Sequence, residues 1–134
     1  MENVERARPK AAQVYRDAGF SAGTAGLLLG VGLNLIGVVC QRLAKRRDGK
    51  GRVPVVEIMM ATPIVRKYIL EGEFEKLKGA VGNREAGSQS FDQHLTELFQ
   101  KQIIDVNEAK RLASNVDALN LALRGITNSD TRLR

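Results

Sequence analysis

The sequence predicts an α+β fold: one β-hairpin followed by a bundle of short helices. Two β-branched runs flank a Gly-rich charged turn, and beyond them helix starts recur with Thr-Pro, Ser-x-x-Gln and Asp-x-x-Glu spacing. A length of 134 residues suits one domain with a modest core, not a two-domain enzyme.

The first strand is read from Ile36-Gly37-Val38-Val39-Cys40, and the second from Val53 to Met60. Between them Arg42 to Lys50 is basic and ends in Asp48-Gly49-Lys50-Gly51, a turn signal. The basic run is read as a solvated hairpin tip, and Cys40 as a small buried hydrophobe. Thr62 then Pro63 places an N-cap before a proline at the first helical position, and Gly72 ends that helix near Glu71. Glu73 to Val81 puts Phe74, Leu77 and Val81 on one face. Ser90 with Gln93 forms a capping box ahead of the stripe Phe91, Leu95, Leu98 and Phe99. Asp105 with Glu108 predicts a second box, leading into Ala109, Leu112 and Ala113. A last helix carries Leu119, Ala122 and Leu123 and is expected to end at Gly125.

Charge is placed unevenly. The chain carries 21 Lys+Arg against 15 Asp+Glu, and residues 1–52 hold ten against four, which is the whole net +6. Such asymmetry raises nucleic acid and membrane as partners. Against nucleic acid, aromatics are 4% and Trp is absent, so base-stacking surfaces are poorly supplied. Residues 18–41 are 24 uncharged positions flanked by Arg42, Lys45, Arg46 and Arg47, which defines a second reading: a small membrane-anchored interaction protein. Six glycines and Asn34 dilute that segment and argue against a span.

Catalytic chemistry is sparse. No G-x-x-x-x-G-K-[ST] phosphate loop occurs, since Gly49-Lys50 lacks the first Gly and is followed by Gly51. His94 is the single histidine and reads as an exposed helix residue; one Cys and one His cannot form a four-ligand zinc site. Asp92 with Glu97, or Glu71 with Glu73 and Glu75, could pair as carboxylates, yet acids at helix starts are expected from the dipole alone. No catalytic, nucleotide-binding or metal residues are assigned.

Four segments in order carry a resemblance: Leu33 to Leu43, Asp48 to Met59, Thr62 to Gly72, and Gly87-Ser88-Gln89-Ser90-Phe91-Asp92-Gln93. Together they resemble the C-terminal portion of the type IV pilus retraction ATPases, the twitching-motility PilT/PilU family of secretion ATPases. The Thr62–Gly72 segment is similar to the family's retraction motif, keeping Arg66, Ile69 and Glu71, with Ile64 and Leu70 as departures. Gly87, Gln89, Phe91, Asp92 and Gln93 are similar to its helix-start motif.

The resemblance implies a hairpin from the end of a RecA-like ATPase domain. It also implies the boundaries: residues 1–26 a non-matching, partly disordered leader; 27–60 a helix end plus hairpin; 61–125 a helical C-terminal subdomain; 126–134 a flexible tail. The intact family implies a cytoplasmic homo-hexamer at the bacterial inner-membrane pilus platform, using ATP and Mg2+ to drive pilus disassembly. This chain, read as a truncated fragment without the phosphate loop, is expected to need no cofactor and not to catalyse alone.

Overall fold

The structure, a computed structural model, describes residues 13–19 and 21–130. The expected disordered leader and flexible tail fall partly on residues 1–12, 20 and 131–134, which lie outside the described residues. After a helical turn at 13–17 the elements are α1 (Ala22–Asn34), β1 (Gly37–Lys45), β2 (Arg52–Met60) and α2 (Pro63–Leu70). There follow a 3-10 turn (Phe74–Lys76), α3 (Leu77–Gly82), a second 3-10 turn (Glu85–Gly87), α4 (Phe91–Gln100), α5 (Val106–Leu112) and α6 (Val116–Asp130). This is the α+β order the sequence predicts. Two compact units result, one drawn from Met1–Val38 and Met59–Ser88, the other from Val39–Ile58 and Gln89–Arg134.

In the first unit, α1 starts on Ser21, whose hydroxyl accepts from the Thr24 N–H. It therefore begins within the stretch assigned to a leader, and its glycines do not break it. Burial offsets their poor helix propensity: Ala25 and Leu29 are buried with Tyr15, against Leu70. One glycine is needed for packing. A Cβ on Gly32 would lie 2.8 Å from Ile69 Cγ2, inside contact distance.

Gly32→Ala is expected to destabilise this unit by about 1–3 kcal/mol through overpacking, despite the better helix propensity of alanine. Ile69→Ala alone should cost about 2–5 kcal/mol as a cavity. The double variant should lose less than the sum, because an alanine side chain in place of Ile69 has no Cγ2 to clash. Tyrosine fluorescence during urea unfolding reads the effect, since both tyrosines, Tyr15 and Tyr68, lie in this unit and the chain has no Trp. A strictly additive cycle would refute the contact.

The start of α2 follows the sequence signal, with the Thr62 hydroxyl accepting from the Val65 N–H and Pro63 at the first position. Val65 and Ile69 are its buried face. The Tyr15 hydroxyl donates to the Ile69 carbonyl, and burial pushes its phenol pKa up. The single face expected for Phe74, Leu77 and Val81 does not form. A 3-10 turn breaks the period, so Val81 is buried while Phe74 stays exposed and stacks on Tyr15 at 6.2 Å.

The hairpin register is fixed at its ends: the Arg46 N–H donates to the Gly51 carbonyl at 3.1 Å, and Ala61 N–H to the Ile36 carbonyl at 2.9 Å. One face of the middle packs in the second unit, where Ala44 and Val55 are fully buried with Phe91, Leu95, Leu98, Ile104, Ala109, Leu119 and Leu123. Alternate β2 residues turn their backbone away from β1, and from Val56 onward each such donor is satisfied. Val56 N–H donates to His94 Nδ1 (2.9 Å), Ile58 exchanges two bonds with Gln89, and Met60 N–H donates to Ser88 Oγ (3.1 Å). Pro54 falls on this same outward side, so its missing N–H removes nothing from the ladder to β1. On β1, Lys45 N–H points outward to Glu108 Oε1 at 2.7 Å. Val39, Gln41 and Leu43 share that direction, and no strand pairs with them among the described residues.

Several expectations are corrected here. Cys40 is exposed, because the strand carrying it has only one neighbour. Arg42 and Lys45 belong to β1, so the turn is confined to residues 46–51. His94 is half-buried and accepts from the strand; it is not an exposed helix residue. The capping box at α4 is complete, but at α5 only Asp105 caps, accepting from Glu108 N–H. Ala122 is exposed, and α6 continues through Gly125 to Asp130. No helix among the described residues is long and apolar enough to cross a membrane. Among the described residues no group of three metal-ligating side chains assembles.

Candidate functional site

The retraction-motif residues lie on and just after α2. Arg66 reaches back to the end of α1: Nη1 donates to the Gly32 and Leu33 carbonyls (3.1 and 2.8 Å), and Nη2 to the Leu35 carbonyl (2.6 Å). These are carbonyls that a helix C-terminus leaves without intrahelical partners, and α1 has no basic residue of its own in the last turn. Ile69 is buried against Gly32. Glu71 closes α2 and is exposed. Two of the three residues are thus occupied inside the unit, and Glu71 alone presents its side chain outward.

The helix-start residues are also committed to packing. Gly87 adopts φ +87°, a conformation that favours glycine. The Gln89 side chain donates to the Val56 carbonyl at 3.1 Å, and its backbone bridges Ile58. Phe91 is buried beneath Arg42, whose guanidinium carbon lies 3.9 Å from the ring centroid, while Phe91 N–H donates to Glu57 Oε2. Asp92 accepts from Ser114 N–H (2.7 Å) and Asn115 N–H (2.9 Å), pinning the link between α5 and α6. Gln93 completes its own cap. Each side chain here holds an element; none is left aimed at open space.

Sequence reading gives no role to Gly32 or Glu57, and places Glu108 only in a capping box. Glu57 had a signal, being the one acid in the apolar run from Val53 to Met60. Glu108 is 8% exposed; beyond Lys45 N–H it accepts from Arg111 Nε (2.8 Å) and Nη2 (2.6 Å). The Arg111 guanidinium holds its carboxyl well below the usual carboxylate range, at about 2, against the opposing effect of burial; the Lys45 N–H lowers it further.

The β-hairpin and the short helices that follow it form an α+β arrangement shared with two solved ATPases. The pilus retraction motor PilT, solved with bound ADP, shares the fold at a TM-score of 0.62, with 19% identity over 82% of this chain and 31% of that one. The Legionella pneumophila ATPase DotB follows at 0.54, with 21% identity over 76% of this chain and 28% of that one. In sequence, the chain is 35% identical over 99 residues to the type IV pilus ATPase PilU of Pseudomonas aeruginosa, which is 73% of this chain and 26% of that protein. It is 34% identical over 88 residues to a twitching motility protein of Neisseria gonorrhoeae, 65% of this chain and 24% of that protein. No protein-family model matches the chain. The chain is homologous to PilU and the twitching motility protein over about two thirds to three quarters of its own length, and spans about a quarter of the length of the curated relatives it matches.

Proposed function

We propose that this chain supplies a packing and coupling segment of a retraction-type pilus motor, active in pilus disassembly and twitching motility, and does not itself turn over ATP. The observation that carries this reading is the 35% identity to PilU over 99 residues. The absence of a phosphate-loop sequence supports the non-catalytic part. In this reading the parent motor is a cytoplasmic homo-hexamer peripheral to the inner membrane, and ATP with Mg2+ belongs to the parent. Its helical part, residues 61–125, contacts subunits or the pilus platform. Arg66 and Ile69 act as positioning residues that fix α2, and Glu71, the exposed member, makes the coupling contact.

Two measurements on the purified chain test this. Phosphate release from ATP should stay at the rate of a protein-free blank, and a chain-dependent rate would overturn the non-catalytic reading. The tagged chain should co-purify with intact P. aeruginosa PilU, and Glu71→Ala should weaken that association without changing the melting temperature. Failure of wild type to associate at all would sink the packing role.

A further inference from the structure

We infer that the turn-proximal end of the hairpin, where Lys45, Arg52 and Arg111 surround Leu43, is a binding site for a phosphate-bearing anion. These four residues line a hollow of about 440 Å³ that is open to solvent. The register places Lys45 directly opposite Arg52, one step in from the Arg46–Gly51 pair. Because the Arg46–Gly51 pair is hydrogen-bonded, the Lys45–Arg52 pair is of the non-hydrogen-bonded type, in which side chains stand closest. Like charges directly opposite on one sheet face repel. Neither side chain has a carboxylate within salt-bridge distance among the described residues.

The third cation is held in place. Buried Glu108 grips Arg111 through two nitrogens and, with the same carboxylate, accepts from the Lys45 N–H. One acid therefore orients two sides of the hollow while offsetting only one of its three charges. Arg111 keeps a half-exposed side chain and an uncommitted Nη1. A guanidinium fork, an ammonium and a second guanidinium around one opening match the several acceptor oxygens of a phosphate group. This gives a use to the basic excess of residues 1–52, to which Lys45 and Arg52 belong.

The phosphate could be free, as in an inorganic polyphosphate, or carried by a lipid headgroup, and the test separates the two. The full chain is titrated with sodium tripolyphosphate, and separately with phosphatidylcholine vesicles either pure or containing about one-third phosphatidylglycerol. Saturable binding is expected to one of these phosphate sources. Binding to tripolyphosphate alone assigns a free anion; binding only to the charged vesicles assigns a headgroup.

Lys45→Gln with Arg52→Gln should weaken the binding at least about tenfold. The control pair Arg47→Gln with Lys50→Gln removes equal charge from the turn and should leave it within about twofold, which separates the site from diffuse attraction. Thermal melting adds a second readout: tripolyphosphate binding should raise the wild-type midpoint and not that of the Lys45/Arg52 variant. No saturable binding to either source overturns the proposal. So does binding that the Lys45/Arg52 variant retains, or that both variant pairs weaken equally.

Discussion

Replacing Arg66 with alanine is expected to cost the first unit about 2–3 kcal/mol, the largest loss from any single polar side chain in that unit. The guanidinium donates to three carbonyls around the end of α1, at 2.6 to 3.1 Å, in a part-buried position. Alanine leaves those acceptors unpaired and removes the positive charge from a helix C-terminus. Lysine should restore only part of the loss, because a single ammonium cannot span the Gly32, Leu33 and Leu35 carbonyls as a planar fork does. The measurement is urea unfolding followed by tyrosine fluorescence, which reports this unit through Tyr15 and Tyr68. The midpoint should fall with an unchanged m-value. A shift worth less than about 0.5 kcal/mol would mean that water caps α1 equally well.

The second large effect belongs to Glu108 and depends on pH. Its carboxyl titrates at about 2 in the folded chain against 4.5 ordinarily, chiefly because Arg111 bonds to the charged form. A folded pKa below the unfolded one stabilises the fold above pH 4.5, and that stabilisation is lost as the pH falls toward 2. Because the Arg111 side chain is 55% exposed, solvent screening brings the amount at neutral pH down to about 1–2 kcal/mol. Glu108→Gln should therefore be less stable than wild type near neutrality, with the gap closing as the pH approaches about 2. Amide exchange at Lys45 gives a local readout, since its N–H donates to this carboxylate. It should accelerate in the variant at neutral pH and in wild type only under acid. A gap that stays constant with pH would assign the effect to packing instead.

The parts of the fold that are legible in the sequence are those decided within a few residues. Thr62-Pro63 and Ser90 with Gln93 begin helices because the capping groups lie within one turn of the donors they satisfy. Glu108 shows where such reading ends. Its spacing from Asp105 fits a capping box, yet the carboxylate is taken by a strand amide 63 residues away. Gln93, by contrast, closes its box. His94 escapes local reading for the same reason, since nothing nearby in sequence reveals a strand N–H at Val56.

Burial is harder to read than helix starts. A β-branched run around Cys40 looks the same whether a strand has one neighbour or two, and here it has one. Gly125 would be expected to stop α6, but a glycine inside a helix costs only about 1 kcal/mol and does not by itself end one. Of the candidate site, the helix carrying Arg66, Ile69 and Glu71 is visible from its cap. The partners of Arg66 are not, because they lie 31 to 34 residues upstream, on the far side of the hairpin in sequence. Gly32 looks like a defect in a helix and proves to be the seat for Ile69.

The two margins of the hairpin are chemically unequal. The margin at β2 is closed by an imidazole, a backbone bridge, a hydroxyl and a proline, so a further strand laid there would have to evict all four. At β1, Val39, Gln41 and Leu43 still offer donors and acceptors in a row, beside exposed apolar side chains of Val39 and Leu43. The ribbon therefore has a direction of growth: it can be widened on the β1 side and is terminated on the other.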